Sequence, residues 1–136
     1  MEAGALGDGV GTQVTVEVDW NVLRASIEAE LVDEFRDLSG LPPSEQEAQH
    51  ELRRWQRGAL HGASHALEIA NSLPCAVRIT EICGEFESTN PTVVAAACAR
   101  AVWQAMGYAP TEQQCAHLDH AVATSFSAGP EALPVF

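Results

Sequence analysis

Pro91–Gly107, PTVVAAACARAVWQAMG, holds only Thr92, Arg100 and Gln104 as polar side chains, and the fold turns on that fact. A helix that is apolar nearly all round is buried on most sides. Its boundaries are written locally. Asn90 is an N-cap, because its short side chain accepts from an orphan amide of the first turn. Pro91 fits the first helical position, where no N–H is needed, and Gly107 ends the segment. The many alanines let a sheet or a second helix come close.

Working outward, Thr111 and Gln114 form a capping box for EQQCAHLDHAVATSF, with an apolar stripe of Cys115, Leu118, Val122 and Phe126. Residues 129–136 read as an extended tail. Upstream, PCAVRITEIC alternates, with Cys75, Val77 and Ile79 on one face and Arg78 and Thr80 on the other, which predicts a strand. Gly84 is a turn or bulge, and Phe86 belongs to a short further strand. Before it, Ser44 and Glu47 match a second capping box. The apolar track Ala48, Leu52, Trp55, Ala59, Ala63, Ala66 and Ala70 then predicts a long helix reaching Asn71.

Towards the N-terminus, NVLRASIEAELVDEFRDLSG places Leu23, Ile27, Leu31, Phe35 and Leu38 at helical spacing, so a first helix is expected there, closed by Gly40 and Pro42. TQVTVEVDW alternates Val14, Val16, Val18 and Trp20 against Thr15, Glu17 and Asp19, a half-buried strand. Residues 1–11 read as a flexible segment. The expectation is one α+β domain over residues 12–128. A small sheet of two or three strands is covered by about four helices, in the order β-α-α-β(β)-α-α. The core is expected at Val14, Val16, Trp20, Leu31, Trp55, Val77, Ile79, Val94, Val102 and Trp103.

Composition narrows the chemistry. The 136 residues include 19 acidic and 7 basic side chains, a formal net charge of -12. All seven basic residues are arginines, and there is no lysine. Schiff-base chemistry on lysine and the lysine of a phosphate-binding loop are therefore excluded. The acidic balance disfavours nucleic acid as a partner, because it repels a phosphate backbone. No apolar run approaches the ~20 residues that span a bilayer, so no membrane partner is expected. The four cysteines form no CxxC pair and read as reduced, mostly buried thiols. With no secretory signal in MEAGALGDGVGTQ, the expected location is cytoplasmic, and the Ala-, Gly- and Arg-rich, lysine-free composition suggests a bacterial source.

Two clusters merit weighing. His61, His65 and Glu68 lie at i, i+4 and i+7 of the long helix, a spacing that can hold a divalent transition metal, zinc first, with one position open. Against this, the pattern lacks the glutamate that HExxH enzymes use as a base. The helical phase also turns these residues, and His117 and His120 of the last helix, towards solvent. Two such histidine faces would then meet only between chains. Arg53, Arg54 and Arg57 put three of the seven cations within five residues. Either they are satisfied internally, Arg54 and Arg57 within reach of Glu47, Glu51 or His50 and the acidic first helix docking alongside, or they contact an acidic partner or the acidic face of a second copy. No nucleophile elbow or glycine-rich phosphate loop is present.

Val77–Gly107, VRITEICGEFESTNPTVVAAACARAVWQAMG, resembles the strand–loop–helix of a ribosomal small-subunit protein module that also forms one domain of translocating elongation factors. The resemblance implies that local architecture and no activity. The residues favour a non-enzymatic accessory or assembly factor that binds another protein or itself, needing no cofactor. The alternative is a metal-dependent enzyme or metal carrier built on His61, His65 and Glu68.

Overall fold

The computed structural model describes residues 2–6, 12–20, 22, 26–28, 34–37, 45–70, 75–84 and 89–126. Among these, five strands and three helices follow the order β1 (Glu2–Leu6), β2 (Gln13–Asp19), β3 (Ser26–Glu28), β4 (Glu34–Asp37), α1 (Glu45–Ala70), β5 (Ala76–Gly84), α2 (Pro91–Met106) and α3 (Glu112–Ser125). The class is α+β, as the sequence implies.

The sheet is mixed and runs β1-β2-β5-β3, with β4 also on β5. β2 pairs antiparallel with β5 at its centre, and β1 adds antiparallel to β2. β3 and β4 both lie parallel to β5, opposite Ala76–Arg78 and Glu81–Gly84 in turn, so they share one edge. The expected small sheet is thus extended on both sides. Glu2–Leu6, read from sequence as part of a flexible segment, supplies one of those extensions.

The helix expected between Asn21 and Gly40 is not formed: β3 and β4 stand in its place. The apolar spacing explains the misreading. Leu23, Ile27, Leu31 and Phe35 are four residues apart, which satisfies a helical period of 3.6 and, being even, a strand period of two as well. The open edge of β5 then decides, because pairing along it satisfies backbone groups on both chains. Ile27 is partly buried against the core.

β2 keeps the expected alternation, with Val14, Val16 and Val18 buried. Trp20 does not follow them and is 40% exposed, just past the strand's end. Cys75, just before β5, and Val77 and Ile79 on it are buried as expected, but Ile82 is buried too. The cause is a bulge. Val16 opposes Ile79 while Thr15 opposes Glu81, so Thr80 is an extra residue, and its Oγ1 donates to the Thr15 carbonyl at 3.3 Å. One inserted residue flips the inward face of everything after it.

α2 lies over β1 and β2 on one face of the sheet, α1 packs along α2 and reaches β3 and β5, and α3 packs on α2. Thirteen of the sixteen α2 residues are buried, so this is the central helix. Its predicted caps are present: Asn90 Oδ1 accepts from Val93 N at 2.9 Å, and Gly107 is left-handed at φ 72°. α1 buries Trp55, Ala59, Ala63 and Ala66, as its apolar track requires, and also Gly58 and Gly62. α3 has its Thr111–Gln114 capping box and buries Leu118, Ala121, Val122 and Ser125. Phe126, expected in that stripe, is 53% exposed, because α3 ends with Ser125 and Phe126 is its cap. The Ser44–Glu47 box, Leu31, Phe86 and the tail at 129–136 lie outside the described residues or side chains.

The bulge has a measurable consequence. Ile82→Ala should cost about 2–5 kcal/mol in urea unfolding, the range for emptying a core aliphatic site. Glu81→Ala, at a half-buried position on the other face, should cost less than Ile82→Ala. A strand without the bulge gives the reverse order.

Candidate functional site

The helical layer has one corner where polar and aromatic side chains from all three helices converge. It begins with the end of α2. Gly107 in the left-handed region lets two reversed hydrogen bonds close the helix, Gly107 N to the Gln104 carbonyl at 3.2 Å and Tyr108 N to the Trp103 carbonyl at 2.9 Å. That turn folds Tyr108 back over Trp103, with ring centroids 5.8 Å apart. The Tyr108 hydroxyl donates to Gln114 Oε1 at 2.9 Å, and the same oxygen accepts from Thr111 N at 2.9 Å. The cap of α3 is therefore tied to the end of α2.

Trp103 joins this corner to α1. Its indole is buried, and Nε1 donates to the Ala66 carbonyl at 3.0 Å. Beside it stands His65, with ring centroids 6.1 Å apart. On the other side of His65 lies His117 of α3, stacked at 5.7 Å between centroids and 23° between planes. His61 is one turn before His65 on α1. Both are half-buried, and their Nε2 atoms are closed off from solvent. Burial holds His65 below its ordinary value, the imidazoles of His117 and His61 push the same way, and Glu68 opposes them.

These positions correct the expectation that His61 and His65 face solvent and that the two histidine faces meet only between chains; His117 and His120 are exposed as expected. His65 and His117 meet within one chain. The reason lies in Gly58 and Gly62, which belong to the buried arc of α1. Helical phase puts His65 only about 20° around the axis from Gly58, at the flank of the buried face rather than opposite it. The Gly58-x3-Gly62-x3-Ala66 spacing was the available signal. Glu68 is exposed, as are His117 and His120. Among the described residues, no group of three or more His, Cys, Asp or Glu side chains is placed to hold a metal ion.

The arginine cluster divides. Glu51 receives the Trp55 indole N–H at 3.1 Å on Oε1 and Arg54 at 3.0 Å on Oε2. Arg54 therefore belongs to the support of a buried tryptophan. Arg53 and Arg57, one turn apart, are exposed. Elsewhere Arg100 of α2 is paired with Asp119 of α3.

The four thiols are free, with Cys75, Cys83 and Cys98 buried and Cys115 partly exposed. Burial raises Cys75. It pushes Cys98 up to about 12, with the Ala63 backbone opposing.

Comparison with known protein families, with curated proteins and with solved structures finds no match. No helix among the described residues is long and apolar enough to cross a membrane.

The thiol environments predict an order of reaction, since the thiolate is the nucleophile. In native protein near neutral pH, iodoacetamide should modify Cys115 first, with Cys98 protected until urea unfolds the chain. Peptide mass mapping against time reads this directly. Early labelling of Cys98 contradicts the packing of α1 on α2.

Proposed function

We propose that this chain is a non-enzymatic accessory factor of the bacterial cytoplasm that binds an acidic segment of a partner protein through Arg53 and Arg57. One observation carries the reading: the two guanidinium groups stand exposed one turn apart on α1, while Arg54 between them is turned to Glu51. The opposite face of α1 is packed on α2, so the arginine pair rides on a firmly held helix. Guanidinium groups suit carboxylates because the planar fork can bond both oxygens. In a chain of net charge -12, such a spot stands out against its surroundings, and a partner has to present carboxylates locally to use it. The acidic surface of a second copy is the self-associating version of the same contact. Four free thiols support the cytoplasmic placement.

A fluorescent Glu-rich peptide, titrated at low salt and followed by anisotropy, tests the surface. Arg53→Glu with Arg57→Glu should weaken binding by at least about tenfold, roughly 1.4 kcal/mol. Added salt should weaken the wild type in the same direction. Sizing with light scattering separates self-association. Equal peptide affinity for wild type and the double variant contradicts the proposal.

A further inference from the structure

We propose that the acidic partner of Arg53 and Arg57 is the outer sheet face of a second copy, at Glu17 and Asp19 of β2, so that copies join head to tail. The inference rests on the arginine reading above and names its partner. It begins with the layering. α2 covers β1 and β2 and the other helices pack on α2, so Val14, Val16 and Val18 are buried beneath the helical layer. The residues between those valines belong to the opposite face of β2, and there Glu17 and Asp19 are exposed.

Spacing and charge select this pair. Arg53 and Arg57 are four residues apart on a helix, a rise of about 6 Å. Glu17 and Asp19 are two residues apart on a strand, a rise of about 7 Å. Two guanidinium forks can therefore meet two carboxylates at once. The other exposed acidic groups among the described side chains do not offer such a pair: Glu68 and Glu112 stand on different helices, and Asp119 is engaged by Arg100. Across the ladder, Arg78 stands opposite Glu17 and Ala76 opposite Asp19. Arg78 is half-buried and takes one charge off that face. A carboxylate has about four lone-pair sites, however, so an exposed one accepts an incoming guanidinium beside a partner of its own.

Trp20 adds a second kind of contact. It follows Asp19 and is 40% exposed, whereas Trp55 and Trp103 are buried. An arginine that forks a carboxylate can also lie flat on an indole. The arginine pair and the acidic pair are different patches, so the contact is heterologous. A joined pair still presents one patch of each kind, and repetition builds a ring or a chain rather than stopping by symmetry at two. Two chains of net charge -12 repel each other. Salt at about 0.1 M shortens the reach of that repulsion to ~10 Å, which leaves a contact at hydrogen-bond distance in force.

Sedimentation velocity of the full chain at about 0.1 M salt tests the contact. The weight-average mass should climb past two chains as concentration rises, and return towards one at about 1 M salt. Arg53→Gln with Arg57→Gln, and separately Glu17→Gln with Asp19→Asn, should each weaken association at least about tenfold. Mixed in equal amounts, these two variants should form pairs and nothing larger, because each supplies the patch that the other lacks. In the wild type, acrylamide quenching of Trp20 should fall as copies associate, and Trp20→Phe should remove that change. The mass of one chain at every concentration up to about 1 mM overturns the proposal. So does association that Glu17→Gln with Asp19→Asn leaves unchanged, or a mixture of the two variants that forms no pairs. The Glu-rich peptide separates the two readings. If it binds through Arg53 and Arg57 while the chain stays single, the arginine surface serves a different protein and only the present inference fails. If neither peptide nor second copy binds, both fail.

Discussion

Two glycines on α1 set how close the two principal helices lie. A Cβ built on Gly58 would sit 2.2 Å from the Pro91 carbonyl oxygen, and one on Gly62 would sit 2.0 Å from that of Ala95. Neither clash is relieved by a side-chain rotation, because the obstacle is backbone. The contacts advance in step, from Gly58 and Pro91 to Gly62 and Ala95 and on to Ala66 and Trp103, so the helices run parallel. Glycine inside a helix costs about 0.5–1 kcal/mol relative to alanine. Forcing extra atoms into a closed interface typically costs about 1–3 kcal/mol. The second term exceeds the first, and that accounts for glycine at both positions.

The rest of the architecture follows from that approach. Because α1 comes so near, α2 is covered by a helix on one side and by β1 and β2 on another, which is why alanines suffice along it. Cys98 is closed into this interface beside Ala63, hence its strongly raised thiol. The two largest buried side chains, Trp55 and Trp103, flank the close contact, and each indole N–H is satisfied, by Glu51 and by the Ala66 carbonyl. At the Trp103 end the approach turns the flank of α1 towards α3 and brings His65 onto His117.

What the sequence discloses and what it hides divide along the range of the interaction. The caps of α2 and α3 and the alternation of β2 were legible, because each is decided within four residues by hydrogen bonding or pleat. β3 and β4 were not, since a spacing of four serves two periods and the edge of a distant strand settles which is used. The inward turn of Ile82 depends on a bulge at Thr80 that alternation alone does not announce. Of the candidate site, Arg54 pairing with Glu51 was among the partners expected from spacing on one helix. The meeting of His65 with His117 was not, because helical phase gives a direction around α1 but not the place where a third helix docks. Taking Gly58 and Gly62 as contact residues rather than weak points in the helix would have moved the buried arc towards the histidines.

The most direct check on the close helix crossing is the sign of the stability change in Gly62→Ala, measured by urea unfolding beside Ser64→Ala on the exposed side of α1. A helix glycine with room around it gains about 0.4–1 kcal/mol from alanine. The account predicts instead that Gly62→Ala lowers stability by about 1–3 kcal/mol, and by more if the helices must separate. Ser64→Ala should change stability by no more than about 0.5 kcal/mol. A more stable Gly62→Ala protein would contradict the account.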